Sequence, residues 1–372
     1  MKVMSVFGTR PEAIKMCPLV LQLEKTPGIE SVVCVTGQHR QMLDQVLEVF
    51  GVRPDYDLNI MKARQTLASI TSSVVEGIGE VIDACHPDIV LVHGDTTTSF
   101  AAALGAFYKQ TAVGHVEAGL RTYNKYSPYP EEMNRVLTGR IADVHFAPTE
   151  RNRAALAREG VEHNVFVTGN TVIDAFATTV KDGYQFREEV LRTVDFSRPT
   201  VLLTAHRREN LGRPLEQICD AVLEICAKLP QVQFVYPVHL NPAVRETVFA
   251  KLGGHSQIHL IDPLDVQDMH NAMARCYLVM TDSGGLQEEA PHLGKPVLVL
   301  RTETERPEAV EAGTAKVVGV RTQDITAQAM QLLTDEPSYR KMATAQNPYG
   351  DGHASERTAA ILQDVMAGKE EQ

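Results

Sequence analysis

Short apolar runs rich in β-branched residues recur along the whole chain, separated by stretches long enough for helices. In the first half they fall at 3–7, 32–36, 89–93, 112–116, 143–147 and 164–168. In the second half they fall at 200–205, 233–238, 257–261, 277–281, 296–300 and 314–319. Segments such as 67–84, 98–109, 214–229 and 323–334 lie between them with helical length. Strands that are apolar nearly throughout, alternating with helices, predict parallel sheets covered on both faces. Six strands followed by six predict an α/β fold of two doubly wound, Rossmann-like domains facing across a cleft. The first domain is expected over residues 1–170 and the second over 171–353. The strand pattern lapses between Gly169 and Phe196, where Phe186-Arg187-Glu188-Glu189 reads as an exposed helical stretch.

Composition narrows the class of molecule. A chain of 372 residues suits two domains, and 44% hydrophobic content with 22% charged residues supports large buried cores. Net charge is −11 without a dense Lys/Arg block, which argues against nucleic acid or an anionic membrane as the main partner. The six cysteines are scattered and form no CxxC pair, so they read as reduced core residues of a cytoplasmic protein. Met1-Lys2 leads straight into a short strand, and no apolar run approaches a membrane span.

Chemistry concentrates where strands end. Asp95 and Glu117 directly follow β-branched runs, and Glu131 follows in Tyr129-Pro130-Glu131. In open α/β sheets, ligands bind at that carboxyl edge. Several acids converging there suggest proton transfer, because burial and like charge tune their pKa values. Helix capping competes as an explanation for Asp95 but suits Glu117 poorly, since Ala118-Gly119 follows.

Two turns look suited to anions. Gly8-Thr9-Arg10-Pro11 follows the first strand, placing Arg10 at a helix start with Lys15 about one turn on. This is not GxGxxG, so nothing argues for a nicotinamide cofactor. Asp282-Ser283-Gly284-Gly285 also follows a strand, and its glycines leave backbone N–H groups for a diphosphate. Glu289 in the next helix suits ribose hydroxyls, and Arg306 suits phosphate. His206 and His239 end strands of the second half, His206 beside two arginines. No metal site is expected: there is no HExxH, and Asp55-Tyr56-Asp57 reads as loop chemistry after a helix.

Several stretches together closely resemble the bacterial, non-hydrolysing UDP-N-acetylglucosamine 2-epimerases. They include Phe7-Gly8-Thr9-Arg10-Pro11-Glu12, Val92-His93-Gly94-Asp95-Thr96-Thr97-Thr98 and Gly114-His115-Val116-Glu117-Ala118-Gly119-Leu120-Arg121. Tyr126-Ser127-Pro128-Tyr129-Pro130-Glu131, Ala205-His206-Arg207-Arg208-Glu209-Asn210, Thr281-Asp282-Ser283-Gly284-Gly285 and Asn347-Pro348-Tyr349-Gly350 complete the set. The resemblance implies a glycosyltransferase-B-like fold whose final helix, 354–372, crosses back to the first domain. It implies C2 epimerisation between UDP-N-acetylglucosamine and UDP-N-acetylmannosamine, by elimination of UDP to 2-acetamidoglucal and re-addition, supplying a cell-surface polysaccharide. No metal or redox cofactor is implied, and a homodimer is. The matching catalytic positions are Asp95, Glu117, Glu131 and His206. Substrate-binding positions are Arg10, Lys15, Leu264, Met269, Ser283, Gly284, Gly285, Glu289 and Arg306. A regulatory site for a second UDP-N-acetylglucosamine would involve Gln38, Gln41, Arg64, Gln65 and His239.

The chain departs from many relatives at Arg301-Thr302-Glu303-Thr304-Glu305-Arg306, where Arg-Asp-Thr-Thr-Glu-Arg is common, and at Met269, where Phe is common near the uracil. Three other functions stay open at this point. A hydrolysing epimerase would release N-acetylmannosamine and UDP. A glycosyltransferase of the same fold would require an acceptor. A non-catalytic nucleotide-sugar sensor would need the phosphate ligands but not three acids.

Overall fold

A computed structural model describes residues 1–37, 40–61 and 65–370. The chain forms two compact units, Met1–Thr178 together with the segment from Tyr349 onward, and Thr179–Pro348. Among the described residues, unit one holds a seven-stranded sheet: β1 (Lys2–Phe7), β2 (Glu30–Val35), β3 (Tyr56–Asp57), β4 (Ile89–His93), β5 (Ala112–Val116), β6 (Val144–Ala147) and β7 (Val165–Val167). Its order is β3-β2-β1-β4-β5-β6-β7, with parallel pairing throughout. Unit two holds β8 (Thr200–Thr204), β9 (Gln233–Pro237), β10 (Ile258–Ile261), β11 (Leu278–Thr281), β12 (Val297–Val299) and β13 (Ala315–Val317). They run in the order β10-β9-β8-β11-β12-β13, again all parallel.

Both sheets grow outward from their first strand, one way and then the other. The order therefore reverses between β1 and β4 in unit one, and between β8 and β11 in unit two. At such a switch point, the turns leaving two adjacent strands diverge and open a crevice. The anion turn with Arg10 leaves β1 and the Asp95 turn leaves β4. His206 leaves β8 and Ser283 leaves β11. The strands at these points are buried on both faces, as the apolar runs require: Ile89, Val90, Leu91 and Val92 of β4 have no exposed surface, and Phe234, Val235 and Tyr236 of β9 are buried in turn.

Helix starts follow local chemistry. Thr9 caps Arg10–Lys25 in a reciprocal box with Glu12, and Pro11 occupies the first turn, where its missing N–H costs nothing. Thr96, not Asp95, caps Thr97–Tyr108, taking the Ser99 amide at 3.1 Å. Asp95 is thereby left for other partners. The helix Ala354–Glu370 packs on Arg10–Lys25 and on Thr171–Asp174. Its first amides, from Ala354 and Ser355, donate to the Asp174 carboxylate at 3.2 and 2.6 Å.

Three expectations change. Tyr56–Asp57 is a short edge strand on β2 rather than a loop; the Asp55 carboxylate accepts the Val33 N–H at 2.8 Å and Asp57 pairs with Arg40, so both carboxylates serve the sheet edge. Phe186-Arg187-Glu188-Glu189 is not an exposed helix. Phe186 is buried, stacked on Phe196, and the helix Glu189–Thr193 begins only at its last residue. Unit one extends to Thr178 rather than to 170, because Thr171–Asp174 packs on Arg10–Lys25. No helix among the described residues is long and apolar enough to cross a membrane. All six cysteines are buried free thiols.

Candidate functional site

Glu117 is the most constrained acid of unit one. It follows β5 with φ 62°, in the left-handed region, where a non-glycine residue costs about 1–3 kcal/mol. The Gly94 N–H donates to the Val116 carbonyl at 2.8 Å, and the Ala118 N–H donates to the Phe146 carbonyl at 3.0 Å, pinning the turn from both sides. Three groups converge on Glu117 Oε2: the Lys15 ammonium, Asn170 Nδ2 at 2.8 Å and His93 Nε2 at 3.7 Å. Gly94 stands beside Oε1, where an added Cβ would come to 3.5 Å.

Asp95 is held from a different side. Arg135 donates to Asp95 Oδ2 at 2.5 Å and to the buried Glu132 at 3.1 Å, and Asn134 Nδ2 donates to the Asp95 carbonyl at 2.9 Å. These side chains sit on the helix Glu131–Ile141, so Asp95 is docked to the helix whose first residue is Glu131. Glu131 Oε2 is buried without a hydrogen-bond partner among the described residues. An unpaired buried carboxylate oxygen is costly, which makes Glu131 a candidate to meet a ligand polar group.

The β1 and β4 turns are tied together by Glu12. Its buried carboxylate accepts the N–H groups of Gly8 and Thr9 at 3.1 and 2.8 Å, and the hydroxyls of Thr96 and Ser99 at 2.6 and 2.9 Å. Gly8 has no room for a side chain, since a Cβ would lie 1.9 Å from Thr36 Oγ1. Arg10 begins the helix this turn feeds.

In unit two, Asp282 is the organiser. Fully buried, it accepts the N–H groups of His206 and Arg207 at 2.8 Å each and Asn210 Nδ2 at 3.0 Å. The turn after β8 is thereby bound to the turn after β11. His206 Nδ1 lies 3.5 Å from Asp282 Oδ1, and its ring stacks on His239 at 5.0 Å. Burial pushes the His206 imidazole below its usual pKa, against the opposing pull of Asp282. Ser283 precedes the short helix Gly284–Glu289 without capping it, so its hydroxyl is not spent on the first-turn amides. A Cβ on Gly284 would lie 3.7 Å from the Arg306 guanidinium and 4.0 Å from that of Arg207. Arg306 is itself fixed by Glu288, and Thr304 receives the Arg306 N–H at 3.0 Å. Glu289 Oε2 lies 3.4 Å from His270 Nε2.

Other positions sit apart from these clusters. Leu264 is buried and Met269 half-buried on the helix Val266–Arg275, one residue before His270. Gln41 is exposed on Arg40–Phe50, and Gln65 donates to the Ile60 carbonyl. Gln38 and Arg64 lie outside the described residues. No group of three His, Cys, Asp or Glu among the described residues is placed to hold a metal ion.

A profile of the UDP-N-acetylglucosamine 2-epimerase family matches residues 21–363. The chain belongs to that family. The UDP-N-acetylglucosamine 2-epimerase of Bacillus subtilis is 60% identical over 363 residues, covering 97% of this chain and 95% of its own. A crystal structure of the UDP-GlcNAc 2-epimerase of Neisseria meningitidis bound to UDP-GlcNAc is 49% identical, with a TM-score of 0.89 over 98% of this chain and all of that one. A glycotransferase of kitacinnamycin, only 11% identical, superposes with a TM-score of 0.65 over 98% of each chain and shares the fold alone. The architecture is thus the family's glycosyltransferase-B-like α/β fold.

Five residues that fix the family's motifs in place were not singled out from sequence. Glu12 carried a signal, the Thr-x-x-Glu capping box, but its reach to Thr96 and Ser99 spans more than 80 residues. Asn170 reads as a helix cap, which it is, taking the Val172 amide while its amide nitrogen holds Glu117. Asp282 sits in Thr281-Asp282-Ser283-Gly284-Gly285, where the glycines draw the eye and the buried carboxylate has no signal of its own. Arg135 and His93 had no local signal, because their partners come from other elements.

Proposed function

We propose that the chain interconverts UDP-N-acetylglucosamine and UDP-N-acetylmannosamine by eliminating UDP and adding it back. The observation that carries this reading is Glu117, a half-buried carboxylate on a left-handed turn with three nitrogen groups directed at one oxygen. Such an arrangement suits a base held in one position for proton transfer. The sugar C2–H has no neighbouring carbonyl, so its loss must be coupled to departure of UDP from C1. The C2–H electrons form the C1=C2 bond, and the C1–O pair leaves with UDP. Re-addition reverses both changes with the proton delivered to the other face.

Each side chain has a role in that scheme. Asp95, Glu117 and Glu131 supply the proton acceptor and donor, and Lys15 balances charge beside them. The Ser283 hydroxyl, the first-turn amides of Gly284 and Gly285, Arg306 and Arg10 receive the diphosphate charge, and His206 supports it. Glu289 takes the ribose hydroxyls, while Leu264 and Met269 flank the base. A hydrolysing enzyme would instead have to admit water to the glycal. We place the chain among suppliers of N-acetylmannosamine units for surface polysaccharide.

Proton NMR of UDP-N-acetylglucosamine turnover in deuterated water, with chelator present, tests the proposal. The expected outcome is both nucleotide sugars with deuterium at C2. Product that keeps its C2 hydrogen would refute elimination, and release of free N-acetylmannosamine with UDP would establish the hydrolysing reaction.

A further inference from the structure

Three histidines lie on adjacent strands of the unit-one sheet: His93 on β4, His115 on β5 and His145 on β6. His115 pairs in register with His145, and His93 with Val116, the residue before Glu117. All three are buried, and each keeps one ring nitrogen without a hydrogen-bond partner among the described residues: His93 Nε2, His115 Nδ1 and His145 Nδ1. His115 has an evident task, since its Nε2 sits 2.8 Å from the Gly94 carbonyl and holds the turn before Asp95. His93 is different. Its unpartnered Nε2 faces Glu117 Oε2 at 3.7 Å, just outside hydrogen-bond range, and an approach of about half an ångström would bring it inside.

The setting decides what such a bond would do. Lys15 and Asn170 already meet the same oxygen, Lys15 carrying a full positive charge. A cation beside a base stabilises the carboxylate but also weakens it as a proton acceptor. A neutral imidazole N–H fixes the same oxygen at a smaller loss of basicity. Burial keeps His93 neutral by pushing its pKa down, although Glu117 pulls the other way. The ionisable groups acting on His93 are Glu117 across the turn, Lys15 and Glu12 from the helix Arg10–Lys25, Asp95 from the next turn, and His115 on the adjacent strand.

We propose that His93 is a positioning residue for Glu117: its Nε2–H closes onto Oε2 when substrate binds and aims the carboxylate at the sugar C2–H. The inference rests on the reading of Glu117 as a proton-transferring acid. His93 itself exchanges no proton with the sugar. Its donor favours the ionised form of Glu117, so removing it should raise the Glu117 pKa.

Two variants and one measurement on the unaltered protein test this. In His93→Phe the donor is lost while a flat ring remains; kcat should fall about 10–100-fold, the cost of a misplaced base, with KM and UDP affinity within about twofold. The acid limb of its kcat–pH profile should move to higher pH. His93→Gln places an amide N–H near the Nε2 position and should restore most of the rate and the original limb. In the unaltered protein with UDP bound, ¹⁵N-histidine NMR should show the Nε2–H tautomer at His93, assigned by its loss in His93→Gln. Full activity with an unmoved limb in His93→Phe would overturn the proposal, as would equal damage in both variants. If His93→Phe fails to fold, the tautomer decides: Nδ1–H alone overturns the proposal and Nε2–H supports it. A Glu117→Gln variant separates the two readings. If it turns over normally, Glu117 is not the acid; if it is inactive while His93→Phe is unimpaired, only the His93 role fails.

Discussion

Acid should destabilise unit one well before its carboxylates titrate. Burial pushes His115 from 6.5 to about 3 and His145 from 6.5 to about 4. Both folded-state values lie below the unfolded one, so between pH 6.5 and about 4 the unfolded chain binds more protons and stability falls as pH falls. Each such histidine contributes a slope of about 1.4 kcal/mol per pH unit. Over the two units from pH 6.5 to 4.5 the pair should remove about 5 kcal/mol, comparable to the whole stability of a marginal domain. Because the chain has no tryptophan, urea melts are best followed by far-UV circular dichroism at pH 7, 6, 5 and 4.5. His145→Gln should reduce the acid-induced loss by about 2 kcal/mol, since one fewer buried imidazole then takes up its proton only on unfolding. A flat stability profile above pH 4.5, or an unchanged slope in His145→Gln, would show that these imidazoles are not kept neutral by burial.

Other outcomes follow from single contacts. Arg135→Met strands Asp95 and leaves the buried Glu132 only the Thr122 and Tyr123 amides, and should cost about 2–3 kcal/mol in urea melts; adding Asp95→Asn should recover part of it. Gly8→Ala drives a methyl against Thr36 Oγ1 and should destabilise by about 1–3 kcal/mol, eased by Thr36→Ala in the same chain. Arg306→Ala should weaken UDP binding by about 1.5–3 kcal/mol in calorimetry, while Glu131→Gln should cut turnover and leave UDP affinity largely intact.

The sequence made legible whatever is local or periodic. The strands of both sheets, except β3, declared themselves as apolar runs, and Asp95, Glu117, His206 and Ser283 were found by following strands to their ends. β3 escaped notice because a two-residue edge strand has no periodicity to read. Phe186 was misread because charged neighbours hid a ring that packs on Phe196 and meets Arg275. What holds each acid was illegible for a deeper reason. Arg135 reaches Asp95 across 40 residues and Asn170 reaches Glu117 across 53, and no pattern in one chain encodes such pairings. Motif resemblance named the acids; only coordinates named their holders.

The return of the chain to unit one at Tyr349 has a consequence for biosynthesis. The Asn170 N–H donates to the Tyr349 carbonyl at 2.7 Å, and Asp174 caps the helix that begins at Ala354. On the ribosome, the first 178 residues therefore emerge without the helix that covers Arg10–Lys25, while all of unit two is made before that helix appears. At about 5–20 residues per second the delay is roughly 10–40 s. Through that interval one apolar flank of the nascent first unit stays uncovered, available to chaperones, and the inserted second unit can finish folding before the unit that encloses it in sequence.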